Sequence, residues 1–252
     1  MIKLSGVVIT YNEERNIEKC LRSLQPVVDE IVVVDSFSTD RTKSICLDHG
    51  VTFIEQEFLG YIEQKNFALS KASFDHIVSL DGDEALSEPL QQSIIKLKSN
   101  WTNDGYYCNR FNNFCGQWIK HSDWYPNRKL RVFDRRRARW EGINPHDAVR
   151  LEKGATSGRL TGDILHWTYQ SYSEFNKKTE YFSTIAARAY FENGKKAPFY
   201  KIWFNPFWAF IKAYFFRLGV LDGVNGLVIC VQTAHITFLK YTKLRALIQQ
   251  NN

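Results

Sequence analysis

Short apolar runs alternate with amphipathic segments through the first hundred residues, and this alternation restricts the chain to few architectures. Leu4 to Thr10 reads as a strand, followed by a helix from Glu14 to Leu24 with Ile17, Cys20, Leu21 and Leu24 on one face. Glu30 to Val34 predicts a second strand and Asp40 to His49 a second helix, with Ser38 and Thr39 as N-caps and Gly50 closing it. A strand at Val51 to Ile54, a helix near Ile62 to Lys71 and a strand at His76 to Leu80 complete the pattern. Strands separated by helices pair in parallel, so the expected fold is α/β, with a Rossmann-like, mostly parallel sheet flanked by helices.

At 252 residues and 44% hydrophobic content, the chain can bury the core of one large domain, or of a domain with an appendage. Its five cysteines are scattered and contain no CxxC pair, which predicts free thiols in a reducing compartment rather than a disulfide framework or zinc site. The apolar run Gly6 to Ile9 is too short for the core of a signal peptide, so none is expected. The net charge of +6 is unevenly placed, with seven Lys or Arg in residues 128–139 against Asp134 alone. Such a block predicts an anionic partner or a solvated basic face.

Ligands of open parallel sheets bind beyond the carboxyl ends of the strands. Three polar clusters fall on that rim: Thr10-Tyr11-Asn12-Glu13, Asp35 to Asp40, and Asp81-Gly82-Asp83-Glu84. Two like charges about 4 Å apart repel by about 1 kcal/mol in water and about 4 kcal/mol at an effective dielectric of 20. The third cluster therefore requires a positive partner, or else is a solvated turn in which Gly82 makes the bend and Glu84 opens a helix carrying Leu86, Leu90, Ile94 and Leu97. Neither GxGxxG nor GxxxxGK[ST] follows the first strand, so the usual phosphate cradles are absent and a metal held by Asp81 and Asp83 would have to take their place.

The segments "VVITYNEERNIEKCLRSL", "EIVVVDSFSTDRT", "QKNFAL", "SLDGDE" and "LRVF...WEGINPHDAV" occur in this order over roughly the first 170 residues. Together they resemble the family 2 glycosyltransferases of GT-A fold, and among these the WaaE-type lipopolysaccharide core glycosyltransferases. The resemblance implies that Thr10, Tyr11, Asn12 and Glu13 line a nucleotide pocket, that Asp35 contacts base or ribose with Ser38 nearby, and that Lys65 and Asn66 face the nucleotide. It also implies that Asp81 meets ribose or metal, that Asp83 coordinates Mg²⁺ or Mn²⁺, and that His166 completes the metal site. Asp147 and Glu141 are the candidates for general base. Asp147 is preferred, although related transferases carry His-Glu where this chain has His146-Asp147, a difference of one methylene. Pro145 restricts Asn144 to extended conformations and predicts a loop around Asp147.

Residues 101–170 look like the acceptor half, with Trp124 and Arg131 as acceptor contacts, while 1–100 form the nucleotide-sugar half; the aromatics of the acceptor half also suit a core. "RRARW" lacks the Gln of the processive QxxRW motif and precedes Asp147, so transfer of one sugar is expected. Residues 171–252 read as a helical, aromatic-rich C-terminal region. It has ten aromatics between Phe199 and Phe216, and six Lys or Arg against Asp222 alone from Phe199 onward. That composition predicts an interfacial helix on an anionic membrane. The alternative is a helix pair packed on the catalytic domain or on a second subunit of an oligomer. The run Gly223 to Leu239 lacks charged residues but is marginally long for a span.

The expected activity is inverting, metal-dependent transfer of one sugar from a nucleotide-sugar, with UDP-sugar as the donor class. The expected acceptor is a lipid-linked saccharide such as lipopolysaccharide core, at the cytoplasmic face of the inner membrane. The competing readings are a metal-dependent nucleotidyltransferase, which should carry a Gly-rich phosphate loop, and a nucleic-acid-binding module built on the basic tract. The acidic rim argues against the second, so no nucleic-acid partner is expected.

Overall fold

Val, Ile and Leu dominate the first strands, and these strands are buried on both faces, as parallel strands covered by helices must be. A computed structural model describes residues 1–143 and 146–251. In chain order the first elements are β1 (Leu4–Thr10), α1 (Ile17–Leu24), β2 (Glu30–Asp35), α2 (Thr42–Asp48), β3 (Thr52–Glu55), α3 (Tyr61–Lys71) and β4 (His76–Asp81). Strand β1 pairs in parallel with both β2 and β4, and β2 with β3. The period of two sends alternate residues to opposite faces. Leu4, Val8, Val33 and Leu80 enter one core with Leu21, Leu24 and Ile94, while Val7, Val32, Val34 and Ile77 enter another with Leu69, Phe133 and Trp140.

Three local expectations are corrected. Helix α1 begins at Ile17 rather than Glu14, because the Glu13 carbonyl accepts from both Asn16 and Ile17 and closes a turn first. Helix α2 begins at Thr42, and neither Ser38 nor Thr39 caps it. Glu84 opens no helix: it lies fully buried in the short strand β5 (Glu84–Leu86), and α4 (Glu88–Leu97) starts after it, with Pro89 in the first turn. Gly50 does follow α2 at a φ of +66°, the left-handed position that ends many helices.

The chain continues through β6 (Gly105–Phe114), β7 (Gln117–Trp118), β8 (Asn127–Asp134), β9 (Ala138–Ile143), β10 (His146–Leu151) and β11 (Ser157–Tyr169). The strand order is β3-β2-β1-β4-β8-β6-β11-β5, with β7 beside β6 and β9–β10 forming a separate antiparallel pair. The parallel strands β1 to β4 are thus extended through β8, which runs antiparallel to β4. The fold is α/β with a C-terminal helical region: α5 (Tyr172–Glu192), α6 (Phe199–Ile211) and α7 (Gly223–Gln250).

Two compact units emerge, one of Met1–Phe111 with Asn127–Trp167, the other of Asn112–Pro126 with the chain from Thr168 onward. In the second, Phe114, Ile119, Phe175 and Ile229 form one core, and Ala187, Ala197 and Leu244 a smaller one. Asp222, at the start of α7, accepts from the backbone N–H groups of Lys120 and His121 and lies 3.0 Å from the His121 ring. All five cysteines are free, and burial pushes the thiols of Cys46 and Cys108 up to about 12.

Gly162 fixes how β11 crosses the start of α4. Its φ is +99°, and a Cβ there would stand 2.3 Å from the Leu90 backbone nitrogen. Neither the conformation nor the contact can relax through a flexible side chain, so Gly162→Ala should destabilise the protein by about 2–4 kcal/mol, combining overpacking with left-handed strain. Urea denaturation checks this; an unchanged midpoint would contradict it.

Candidate active site

Two rim loops are tied together by short polar side chains. Asn12 sits at a φ of +53°, where Asn is tolerated. Its backbone N–H donates to Ser38 Oγ at 2.7 Å, and its Oδ1 accepts from the Thr39 N–H at 2.8 Å. Asp35 is fully buried at the end of β2 and accepts from the Ser38 backbone N–H at 2.7 Å and from its hydroxyl. The Glu13 N–H donates to Thr42 Oγ1 at 2.8 Å. Asn12, Asp35 and Ser38 are therefore brought together, which explains why Ser38 is not free to cap α2. Tyr11 and Phe37, 57% and 56% exposed on these loops, offer two flat surfaces; Phe37, within the second rim cluster, has no local sequence signal that marks it. Thr10 Oγ1, beneath them, is buried without a hydrogen-bond partner.

The acidic cluster is neither solvated nor uncompensated. Lys65, on α3 and 4% exposed, places Nζ 3.0 Å from Asp81 Oδ1 and 2.7 Å from Asp147 Oδ2. Arg131, on β8 and equally buried, reaches Asp81 at 3.3 Å and Glu84 at 3.2 Å, and Arg110 on β6 reaches Glu84 at 3.3 Å. The Trp140 ring lies 4.2 Å from the Lys65 ammonium and 4.8 Å from the Arg131 guanidinium, so cation–π attraction adds to the ion pairs. Burial alone would raise the Asp81 carboxyl, but Lys65 and Arg131 outweigh it and hold the group well below the usual carboxylate range. Glu84 is likewise lowered, with burial and Asp81 opposed by Arg131 and Arg110. Burial would lower Arg131, yet Glu84, Asp81 and Asp147 raise it.

Asn66 makes a tertiary clamp. Its Nδ2 donates to the Trp140 carbonyl at 2.9 Å and its Oδ1 accepts from the Trp140 N–H at 3.1 Å, so the amide holds β9 beside α3. Trp140 and Gly142 share one face of β9; Asp147, opposite Gly142 on β10, joins that face, whereas Glu141 points the other way. Glu141 is half-buried and paired with Arg139 at 2.6 Å. Asp147 is thus a strand residue, not a loop residue, while Asn144 and Pro145 lie outside the described residues. Trp124 packs in the second unit against Phe114, Tyr169 and Phe175, within an aromatic cluster.

Asp83 and His166 meet, with Oδ2 and Nε2 3.3 Å apart, because β11 pairs His166 with Glu84. Among the described residues, no group of three His, Cys, Asp or Glu side chains could hold a metal by itself. A carboxylate and an imidazole still fit a Mg²⁺-like cation that draws its remaining ligands from water and a diphosphate, the usual habit of Mg²⁺.

The sign of the acid dependence follows from the lowered carboxyls. Asp81 and Glu84 contribute stability that is complete above their unfolded values, about pH 4, and is lost as pH falls through the lower folded ones. Glu84→Gln leaves Arg110 and Arg131 under-compensated, so it should cost about 3–5 kcal/mol at neutral pH and flatten the loss of stability below pH about 4. Denaturation midpoints measured between neutral pH and mild acid check both; parallel curves for the two proteins would contradict the linkage.

Residues 5–154 match the model of the family "Glycosyl transferase family 2". The lipopolysaccharide core biosynthesis glycosyltransferase LpsC of Rhizobium meliloti is 30% identical over 253 residues, which cover 96% of this chain and 92% of that protein. An uncharacterized glycosyltransferase of Rickettsia prowazekii is 30% identical over 260 residues, covering 98% and 88%. Among solved structures, a glucosyl-3-phosphoglycerate synthase of Mycobacterium tuberculosis, in complex with Mn²⁺ and UDP-glucose, is similar over 44% of each chain at 25% identity, with a TM-score of 0.37, too low to carry a conclusion about ligands. The match across the parallel sheet and the charge network, joined to relatives that align along nearly the whole length, makes this chain a member of glycosyl transferase family 2.

Proposed function

We propose that the enzyme moves one sugar, with inversion, from a nucleotide-sugar of the UDP class to a lipid-linked saccharide. The observation carrying this reading is Lys65, whose ammonium joins Asp147 at 2.7 Å to Asp81 at 3.0 Å and so sets a carboxylate beside the rim where a nucleotide would lie. The paired loops of Asn12, Asp35 and Ser38 would receive the base and ribose, with Tyr11 and Phe37 as stacking surfaces. Asp83 and His166 would hold a divalent cation, Mg²⁺ or Mn²⁺, which when bound supplies Lewis-acid stabilisation of the charge on the departing diphosphate.

Asp147 takes the proton from the acceptor hydroxyl as that oxygen attacks the anomeric carbon. Lys65 fixes the carboxylate's direction, and Trp140 walls that side of the site. A single displacement requires one base and no protein nucleophile, which suits one carboxylate at this position and supports inversion. LpsC, named for lipopolysaccharide core biosynthesis, supports a lipid-linked saccharide acceptor.

Helix α6 supports work at a membrane. Tyr200, Trp203, Phe204, Phe207 and Trp208 follow helical spacing and are each 57–68% exposed. A stripe of that size with Lys201, Lys212 and Arg217 nearby suits the interface of an anionic bilayer, here assigned to the cytoplasmic face of the inner membrane. Residues Gly219–Gln250 are also long and apolar enough to cross a bilayer by length and composition, but α7 packs against α5 and α6, which favours peripheral attachment.

Asp147→Asn should lower turnover by about two to four orders of magnitude, the usual worth of a general base, with donor affinity retained, while Glu141→Gln stays near wild type. Steady-state kinetics with a donor accepted by the wild type decides between them, and a large loss confined to Glu141→Gln would overturn the assignment. Asp83→Ala, or excess EDTA, should abolish transfer; full activity under either condition would remove the metal from the mechanism. Replacing Trp203 and Phe207 together with Ser should release the protein from anionic liposomes in sedimentation assays. If the wild-type protein never sediments with them, the stripe serves another purpose.

A further inference from the structure

Beside Asp147, inside the first unit, lies a cavity of about 410 Å³ whose charge is unbalanced. Six cations, Lys65, Arg110, Arg128, Lys129, Arg131 and Arg150, line it against Asp81 and Asp147. Lys65, Arg110 and Arg131 are matched by Asp81, Asp147 and the buried Glu84. Arg128, Lys129 and Arg150 make no ion pair among the described residues. Burial, then repulsion from Arg110 and Arg131, lowers the Lys129 ammonium, so an anion entering here would relieve an existing strain.

A second observation points to a ligand. Arg110 Nε, Arg131 Nε and Trp140 Nε1 are buried donors with no hydrogen-bond partner, and all three belong to residues lining this cavity. All three atoms are closed to solvent, so the fold carries them unmet at a cost, and an anion entering the cavity meets the exposed cations Arg128 and Arg150 before any side-chain shift that would reach these donors. Guanidinium groups suit carboxylate and phosphate oxygens, to which they offer a planar fork of donors. Tyr107, 36% exposed, also lines the cavity and supplies an aromatic ring of the kind that packs on sugars.

We propose that this cavity binds an acidic group, a carboxylate or a phosphate, carried by the acceptor saccharide next to the hydroxyl that Asp147 deprotonates. The inference rests on the sugar-transfer reading above and adds the class of acceptor. The donor's diphosphate is the competing source of negative charge, but Asp83 and His166, assigned to that diphosphate, do not line the cavity, whereas Asp147 does. The acceptor is therefore selected by charge as well as shape, with the cations around the base drawing an acidic sugar to it.

Calorimetric titration of the full chain with glucose, glucuronate, glucose 6-phosphate and inorganic phosphate tests this, with and without saturating UDP and Mg²⁺. At least one acidic sugar should bind at least tenfold more tightly than glucose and than inorganic phosphate, and should still bind with UDP present. Which of the two binds separates carboxylate from phosphate. The double variant Arg128→Gln, Arg150→Gln, at two exposed positions where substitution leaves the fold intact, should lose that preference tenfold or more, and Arg150→Lys alone should keep part of it. Equal binding of neutral and acidic sugars, no binding of either, binding of phosphate as tight as of the acidic sugar, or displacement by UDP would each overturn the proposal. Donor hydrolysis measured on the same preparation keeps the two ideas apart: hydrolysis without acidic preference defeats the proposal alone, whereas preference without hydrolysis of any nucleotide-sugar defeats the sugar-transfer reading and the acceptor assignment with it.

Discussion

A single buried ammonium holds the site together. Lys65 lies between the carboxylates of Asp81 and Asp147 and over the ring of Trp140, and thereby joins α3 to β4, β9 and β10. The neighbouring residue repeats the connection in neutral form, with Asn66 bonded to both backbone groups of Trp140. Arg131 continues the chain of charge to Glu84 on β5. Desolvating so many charges is expensive, and a buried pair is often no more stable than well-packed apolar residues in its place. What the network supplies is geometry: every carboxylate in it is held by a cation on a different strand or helix, so their relative positions are fixed before any substrate binds.

That arrangement explains which parts of the molecule were legible in the sequence. Strands β1, β2 and β4 were readable because burial on both faces leaves mostly apolar runs, broken only by small residues such as Ser5 and Ser79. The polar clusters at their ends were readable because the carboxyl edge of a parallel sheet is where ligands sit. Glu84 was misread as the start of a helix because its local context, a glycine turn followed by Leu86, Leu90 and Ile94, has helical spacing. Its true partners, Arg110 and Arg131, lie 26 and 47 residues away, and no local rule can see them. The need for a positive partner was legible from Coulomb repulsion; its identity was not.

Asn66 and Ser38 were obscured for a related reason. Both are short polar side chains held by distant partners, Asn66 by Trp140 on β9 and Ser38 by the Asn12 N–H as well as by Asp35 of its own loop, so tertiary pairing overrode the capping role that local sequence suggested for Ser38. Asp147 shows the converse. Its proposal as base came from resemblance and from a loop expected at Pro145, whereas the residue lies in a strand, where it shares a face with Trp140 while Glu141 turns outward to Arg139. The aromatic run after Phe199 was ambiguous between core and interface until exposure was known. Ile202 is buried while Trp203, Phe204 and Phe207 are not, so one side of α6 packs and the other leaves its aromatic rings exposed.

The most direct measurement is release of nucleoside diphosphate from a panel of nucleotide-sugars by the folded, full-length protein in the presence of Mg²⁺ or Mn²⁺. Release from at least one UDP-sugar, dependent on the divalent cation and accelerated by membranes bearing saccharide acceptors, is the expected result. A folded protein that releases diphosphate from none of them, or that instead releases pyrophosphate from a nucleoside triphosphate, would contradict sugar transfer at this site.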